Sequence, residues 1–303
     1  MEKRTVFIGS VESSKVALET LIENKIKIDL VCSLSKEVAA NVSDYYPIHR
    51  IAAAHNIPYV EFTRINSPDI VSKIKTVEPD FIFVIGLSQI IEDELLNVPK
   101  EYIIGFHPTP LPKHRGRAAI PWQILLGVRE SKVSLFKMDQ GMDSGHIICQ
   151  YPYEISSTDY ASDVYHKVCS AMRMALEKSL PDIYNGTVRF EKQNHDEATY
   201  LLARYPEDGY IDWSCSGKEI ETLIRAVSRP YPGAFSFYMK KTKVIFWRAR
   251  LEENDKYIGI PGQIAWISPN NEIRIVAKDS LLVVTDYEVT GDPIRLRVGH
   301  RFQ

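Results

Sequence analysis

GFHPTPLPKHRGRAAIPW, running from Gly105 to Trp122, decides how this chain is read. Pro108, Pro110 and Pro112 each fix φ and push the residue before them towards extended backbone. The stretch therefore cannot be a helix and makes a poor central strand, yet it is too constrained for a loose linker. His107 stands at its entrance, after the apolar run Phe81–Gly86 and a short helical spacer, with Lys113, Arg115 and Arg117 close behind. A titratable imidazole on a rigid loop, backed by cations, is how the wall of an active site is built. On residue chemistry alone, a surface loop with a solvated basic tip reads the same way.

Downstream, MDQGMDSGHI at Met138–Ile147 follows an alternating apolar run through Val133 and Leu135. It carries two acids, Asp139 and Asp143, among Gly141, Ser144 and Gly145, small residues that let backbone approach a ligand closely. A carboxylate near an imidazole fixes its tautomer and stabilises its charged form. The same spacing also serves as ordinary turn chemistry. His146 beside Asp143 is the one hint of a metal ligand, and with no further ligands at metal spacing the expectation is no metal.

Upstream of the loop, strands are expected at Thr5–Ile8, Ile28–Ser33, Tyr59–Phe62 and Phe81–Ile85, with helices at Ser13–Glu23, Ile48–His55 and Asp69–Val77. Such alternation implies an α/β fold, a doubly wound parallel sheet of Rossmann-like form. Ligands in such sheets bind beyond the carboxyl ends of the strands, where Gly86–Ile91 and the His107 loop lie. Gly9 stands alone after the first strand, so the G-x-G-x-x-G fingerprint is missing and neither NAD nor FAD is expected. A long helix is expected from Thr158 to Tyr184, capped by Thr158 or Asp159 and stopped by Asn185-Gly186, with Leu176, Leu180 and Ile183 on its core face. Beyond Arg204 the character changes. A helix over Lys218–Val227 precedes short strands at Phe235–Tyr238, Lys243–Arg248, Gly262–Ile267, Ile273–Ala277 and Leu281–Asp286, the pattern of a small barrel.

Composition agrees with an ordinary globular protein: 303 residues, 45% hydrophobic and 25% charged, enough for two domains. A net charge of −2 argues against a general nucleic-acid binder. Cys32, Cys149, Cys169 and Cys215 lie far apart with no C-x-x-C, as reduced thiols of a cytoplasmic protein do. MEKRTVFIGS begins a strand rather than a signal peptide, and no apolar run reaches the ~18 residues of a membrane span.

Taken together, LPKHRG at Leu111–Gly116 with His107 before it, and GMDSG at Gly141–Gly145, resemble the folate-dependent formyltransferase family. RYPEDGYIDW at Arg204–Trp213 and LIRAVSRPYPGAF at Leu223–Phe235 are similar to the start of that family's second domain. The resemblance implies a Rossmann-like catalytic domain over residues 1–203 and an OB-like barrel over 204–303. It implies transfer of a formyl group from N10-formyltetrahydrofolate to an amine, with His107 and Asp143 catalytic. Gly86, Ser88, Gln89, Ile90, Ile91 and Gly141 would contact the folate. Thr109, Lys113, Arg115 and Arg117 would contact the other substrate, with a structural role for Arg115 through a carboxylate as the alternative. One position departs from the pattern: the family carries Asn two residues before the His, and this chain has Gly105. Gln89 and Thr109 are the candidates for replacing that amide.

The family divides among enzymes acting on initiator Met-tRNA, on nucleotide-linked amino sugars and on hydroxylated ornithine. Residues 204–303 interleave acids and bases, including the acidic run Glu252, Glu253 and Asp255, without the basic face a tRNA enzyme needs. The expected substrate is therefore a small nucleotide-linked amino sugar of polysaccharide or glycan biosynthesis. Its diphosphate would meet Lys113, Arg115 or Arg117, with neither nucleic acid nor membrane as partner. Met-tRNA formylation and a non-catalytic relative disabled by Gly105 are the alternatives. A homodimer is implied by resemblance alone, and which sugar and nucleotide are used depends on a pocket shape that sequence does not give.

Overall fold

Four segments of nearly unbroken apolar character set the first half of the fold. In a computed structural model that describes residues 3–291 and 294–303, β1 (Thr5–Gly9), β2 (Leu30–Leu34) and β4 (Phe81–Ile85) are buried along their whole length. The fourth, β5 (Tyr102–His107), is buried over most of its length. Strands covered on both faces lose the polar alternation of a half-exposed sheet. Only β3 (Tyr59–Phe62), at the sheet's margin, is largely accessible.

Helices α1 (Glu12–Glu23), α2 (His49–Ala54), α3 (Pro68–Val77) and the short α4 (Asp93–Leu96) alternate with these strands. The α3 helix starts as its sequence suggests, with Pro68 in the first turn after Ser67. Strand order runs β3-β2-β1-β4-β5, all parallel, so the order reverses between β1 and β4. At that reversal Ser14 Oγ donates to the Ile85 carbonyl and Ser10 Oγ to the Gly86 carbonyl, which knits the ends of β1 and β4 together.

The parallel sheet continues past β5. Two further strands, β7 (Glu130–Lys137) and β8 (Ile147–Glu154), extend the sheet antiparallel beyond β5. They form a hairpin whose connection is the Asp143 turn, and a hairpin demands antiparallel pairing. Between β5 and β7 lie the two-residue β6 (Arg115–Gly116) and α5 (Ala119–Leu125). The stretch quoted first is thus irregular only in its middle: it opens as the last residues of β5 and closes in a helix.

Helix α6 (Ala161–Asn185) begins three residues later than expected. Asp159 caps a turn by accepting from the Ser156 amide, and Asp163 accepts from the Tyr160 amide, which places the cap at Tyr160. Val164, Val168, Met172, Leu176, Leu180 and Ile183 form its buried stripe. Gly186, at φ +69°, ends it.

The chain divides into two compact units, and not at a single boundary. The first holds Met1–Ala119, Glu130–Glu154 and His166–Leu202, and the second holds Ile120–Arg129, Ile155–Tyr165 and Ala203–Gln303. In the second, after the two-residue β9 (Tyr200–Leu201) of the first unit, α7 (Gly217–Val227) is set by a Ser216/Glu219 capping box. Strands β10 (Ala234–Tyr238), β11 (Thr242–Glu252), β12 (Ile264–Ile267), β13 (Ile273–Val276) and β14 (Leu281–Val289) form an antiparallel sheet ordered β10-β11-β14-β13-β12. The C-terminal residues bridge its two ends: Phe302 pairs with Tyr238, and Arg301 with Gln263 just before β12. That closes the sheet into a small barrel around the buried Phe302, whose ring lies 5.1 Å from Phe246 and 6.0 Å from Trp213. No helix among the described residues is long and apolar enough to cross a membrane.

Candidate active site

Side chains alternate along a strand, so Ile103, Gly105 and His107 share one face of β5. Gly105 pairs with Val84 on one side and Phe136 on the other. A Cβ built on Gly105 would stand 2.8 Å from both Met138 Cγ and Phe136 Cζ. The place of the family's asparagine is therefore filled by an aromatic ring and a thioether, and no amide fits there without repacking both.

His107, two residues on, is 6% exposed. Its Nε2 lies 2.7 Å from the His114 carbonyl. A carbonyl only accepts, so Nε2 carries a proton. Nδ1 faces the Asp143 carboxylate, with Oδ2 at 3.6 Å. The same Oδ2 accepts from the Gly116 amide at 2.8 Å. Asp143 sits at φ +50°, in the left-handed region. Histidine loop and aspartate turn are thus joined through one carboxylate oxygen.

The proline-rich loop is braced from inside. Thr109 Oγ1 donates to the carbonyls of Lys113 at 2.9 Å and His114 at 3.2 Å, and Ser134 Oγ donates to the Thr109 carbonyl at 2.7 Å. Gln150 Nε2 donates to the Leu111 carbonyl and Tyr153 OH to the Pro108 carbonyl. Leu111 packs on Phe136 and Ile147.

The geometry bears on several of the expected contacts. Thr109 is wholly buried and its hydroxyl is spent on the loop rather than offered to a ligand. Arg115 is 2% exposed and bonds Gln193, His195 and Tyr200. It is held through an amide rather than a carboxylate, with its guanidinium turned inward. The Gln89 side chain accepts from the Ile65 amide and donates to the Thr63 carbonyl, so it does not replace the missing asparagine. Ile91 belongs to the core with Leu95 and Ile103, which leaves no accessible side chain for folate. Gly86 sits at φ +68°, and a Cβ there would strike Val11.

Other expected residues are accessible: Ser88, Ile90, Lys113 and Arg117 are exposed. Gly141 lines a hollow of about 500 Å³ with Asp93, Tyr102, Lys137 and Asp139, a size suited to a small-molecule site. Neither His107 nor Asp143 lines that hollow. Its wall is kept in shape by Asp139, which accepts from the Gly141 amide and the Ser144 hydroxyl. Burial pushes the Tyr102 hydroxyl up to about 12, so the phenol stays neutral. Among the described residues, no three His, Cys, Asp or Glu side chains stand together as a metal site. Reading the sequence missed Gln193, which touches both loops.

A Rossmann-like sheet with a histidine at the end of one strand and an aspartate in the next hairpin turn, followed by a small barrel, defines a class of two-unit transferase fold. The chain belongs to the formyl transferase family: it matches the family's main domain over residues 3–180 and the formyl transferase C-terminal domain over 204–294. It is similar to the bifunctional polymyxin resistance protein ArnA of Wigglesworthia glossinidia brevipalpis, 30% identical over 240 residues. That match covers 79% of this chain but only 36% of the ArnA chain, so this chain spans about a third of that relative. HypX from Aquifex aeolicus, solved with tetrahydrofolic acid, has the same fold (TM-score 0.68, 18% identity, 95% of this chain and 44% of that one). So does an N-formyltransferase from Helicobacter canadensis, solved with folinic acid and dTDP-3-aminofucose (TM-score 0.67, 22% identity, 94% of this chain and 99% of that one).

Proposed function

We propose that this protein transfers a formyl group from N10-formyltetrahydrofolate to the amine of a nucleotide-linked amino-deoxy sugar. The observation that carries the reading is the buried His107 with its Nδ1 facing Asp143, in a chain of the formyl transferase family. The amine nitrogen forms a bond to the formyl carbon, and the bond from that carbon to N10 breaks. One proton leaves the amine and one reaches N10, so a proton relay is required. Asp143 takes the amine proton, and His107 Nδ1, protonated, supplies the leaving nitrogen.

A donor for the developing oxyanion is required as well. Gly105 provides none, so the donor comes from elsewhere than this position of β5. The exposed Lys113 and Arg117 beside the loop suit a diphosphate. The aminosugar nucleotide in the Helicobacter enzyme, a protein of like fold, supports that substrate class, as does the interleaving of acids and bases over residues 204–303.

The test is release of tetrahydrofolate on mixing N10-formyltetrahydrofolate with a panel of nucleotide-linked amino sugars, with initiator Met-tRNA alongside. Turnover with an amino sugar and none with tRNA supports the reading. Turnover with tRNA alone moves the protein to translation. Folate binding without turnover makes it a non-catalytic relative.

A further inference from the structure

Gln193, 3% exposed, lies between two loops far from it in sequence. Its Oε1 accepts from Arg115 Nε at 3.2 Å and Nη2 at 2.6 Å. Its Nε2 donates to the carbonyls of Asp143 at 2.8 Å and Gly145 at 2.6 Å. A side-chain amide can accept from a guanidinium at one end and donate two protons at the other while remaining neutral. The guanidinium is itself anchored. Arg115 Nη2 meets His195 Nδ1 at 3.0 Å, its Nη1 reaches Tyr200 OH at 3.4 Å, and β6 pairs with β9 across the same strap.

The Asp143 turn needs such a hold. A residue with a Cβ at φ +50° sits in a sparsely populated region and stays there only when its surroundings insist. In that conformation the carboxylate takes the Gly116 N–H and faces His107. Gln193 fixes the backbone on both sides of the turn, at residues 143 and 145.

We propose that Gln193 is a positioning residue for the His107–Asp143 pair: its amide hooks the Asp143 turn to the anchored Arg115 and thereby sets the carboxylate opposite the imidazole. This rests on the reading of that pair as the site of formyl transfer. Gln193 acts through Asp143.

Gln193→Glu separates the two ends of the hook, keeping an acceptor for Arg115 while turning the donor into an oxygen that repels two carbonyls. The expected result is a fall in kcat of about 10–100-fold, the scale of losing an outer partner that orients a reacting group, with KM for both substrates within about twofold. Amide exchange at Gly116 speeds up while Ile103 and Ile104 in β5 stay protected. In an Asp143→Asn background, Gln193→Glu lowers kcat no further, because the carboxylate it positions is gone. Gln193→Met, which removes the donors without adding charge, is read the same way should the glutamate variant fail to fold. Wild-type kcat with unchanged Gly116 exchange overturns the proposal, as does a full additional loss in the Asp143→Asn background. If the wild type turns over no amine, the functional reading fails, and Gly116 exchange alone decides whether Gln193 places the carboxylate.

Discussion

The His107 loop and the strap from Gln193 to Leu201 lie against each other, yet they announce themselves very differently. The loop is dense with signals: three prolines, two imidazoles and three cations within a dozen residues. The strap, QNHDEATYL, has no periodicity, no turn dipeptide and no motif. The loop carries His107, and residues of the strap bond the loop's Arg115 and the carbonyls of the Asp143 turn. Groups that do chemistry show themselves by residue type, whereas the groups that hold them depend on pairing across the chain. Gln193 lies 78 residues from Arg115 and 50 from Asp143, beyond any local pattern.

The largest expected effects sit on the loop side of that comparison. His107→Ala and Asp143→Ala should each lower turnover by at least the ~10²-fold typical of losing a positioned acid–base group, with the fold unchanged by circular dichroism. Near-normal rates in both would remove the site from these two loops. Gly105→Asn comes next. Restoring the family's amide forces Phe136 and Met138 aside and should cost about 1–3 kcal/mol of stability, as overpacking does, with activity lost rather than gained. Urea unfolding measures the first part, and a stable, faster enzyme would show that the place is open.

Smaller effects come from exposed groups. Lys113→Ala combined with Arg117→Ala should raise KM for a nucleotide-linked substrate about tenfold and leave kcat alone, given about 0.5–1 kcal/mol for each exposed charged contact. Arg117 and Lys113 rank with solvent if KM does not move. The smallest effect concerns His114, whose Nδ1 is buried without a partner. Burial first, then Lys113 and His107, hold its imidazole below the ordinary value. With the folded value below the unfolded one, its contribution to stability is complete above about pH 6.5 and is lost as pH falls through that value towards the lowered one. Melting temperatures taken between pH 7.5 and 5.5 should therefore fall less steeply in His114→Gln than in the wild type.

Much of the fold was legible because buried parallel strands read as short apolar runs, and β1, β2, β3 and β4 fall within a few residues of where those runs lie. Nothing in the apolar runs of β7 and β8 assigns them to the same sheet, since sheet order is set by pairing rather than by the run itself. In the barrel, β11 extends to Glu252 and β14 to Val289 beyond their apolar stretches. Pairing between the two strands carries each past its own hydrophobic signal.

At the site, His107 and Asp143 come together as the paired motifs suggested, within 3.6 Å. The inward or outward sense of Thr109 and Arg115 was not legible. A proline-fixed loop has no simple period, so nothing in the spacing says that the threonine and the arginine turn in while Lys113 and Arg117 turn out. The filling of the Gly105 position was equally hidden, because Phe136 reaches it from the neighbouring β7 and Met138 from just past that strand's end.

The most direct test of the central claim follows a 13C-labelled formyl carbon by NMR from N10-formyltetrahydrofolate in the presence of a nucleotide-linked amino sugar. This account predicts that the label appears as a sugar formamide in the wild type and stays on the donor with His107→Ala. Label recovered as free formate, or left on the folate by the wild type with every amine offered, would contradict it.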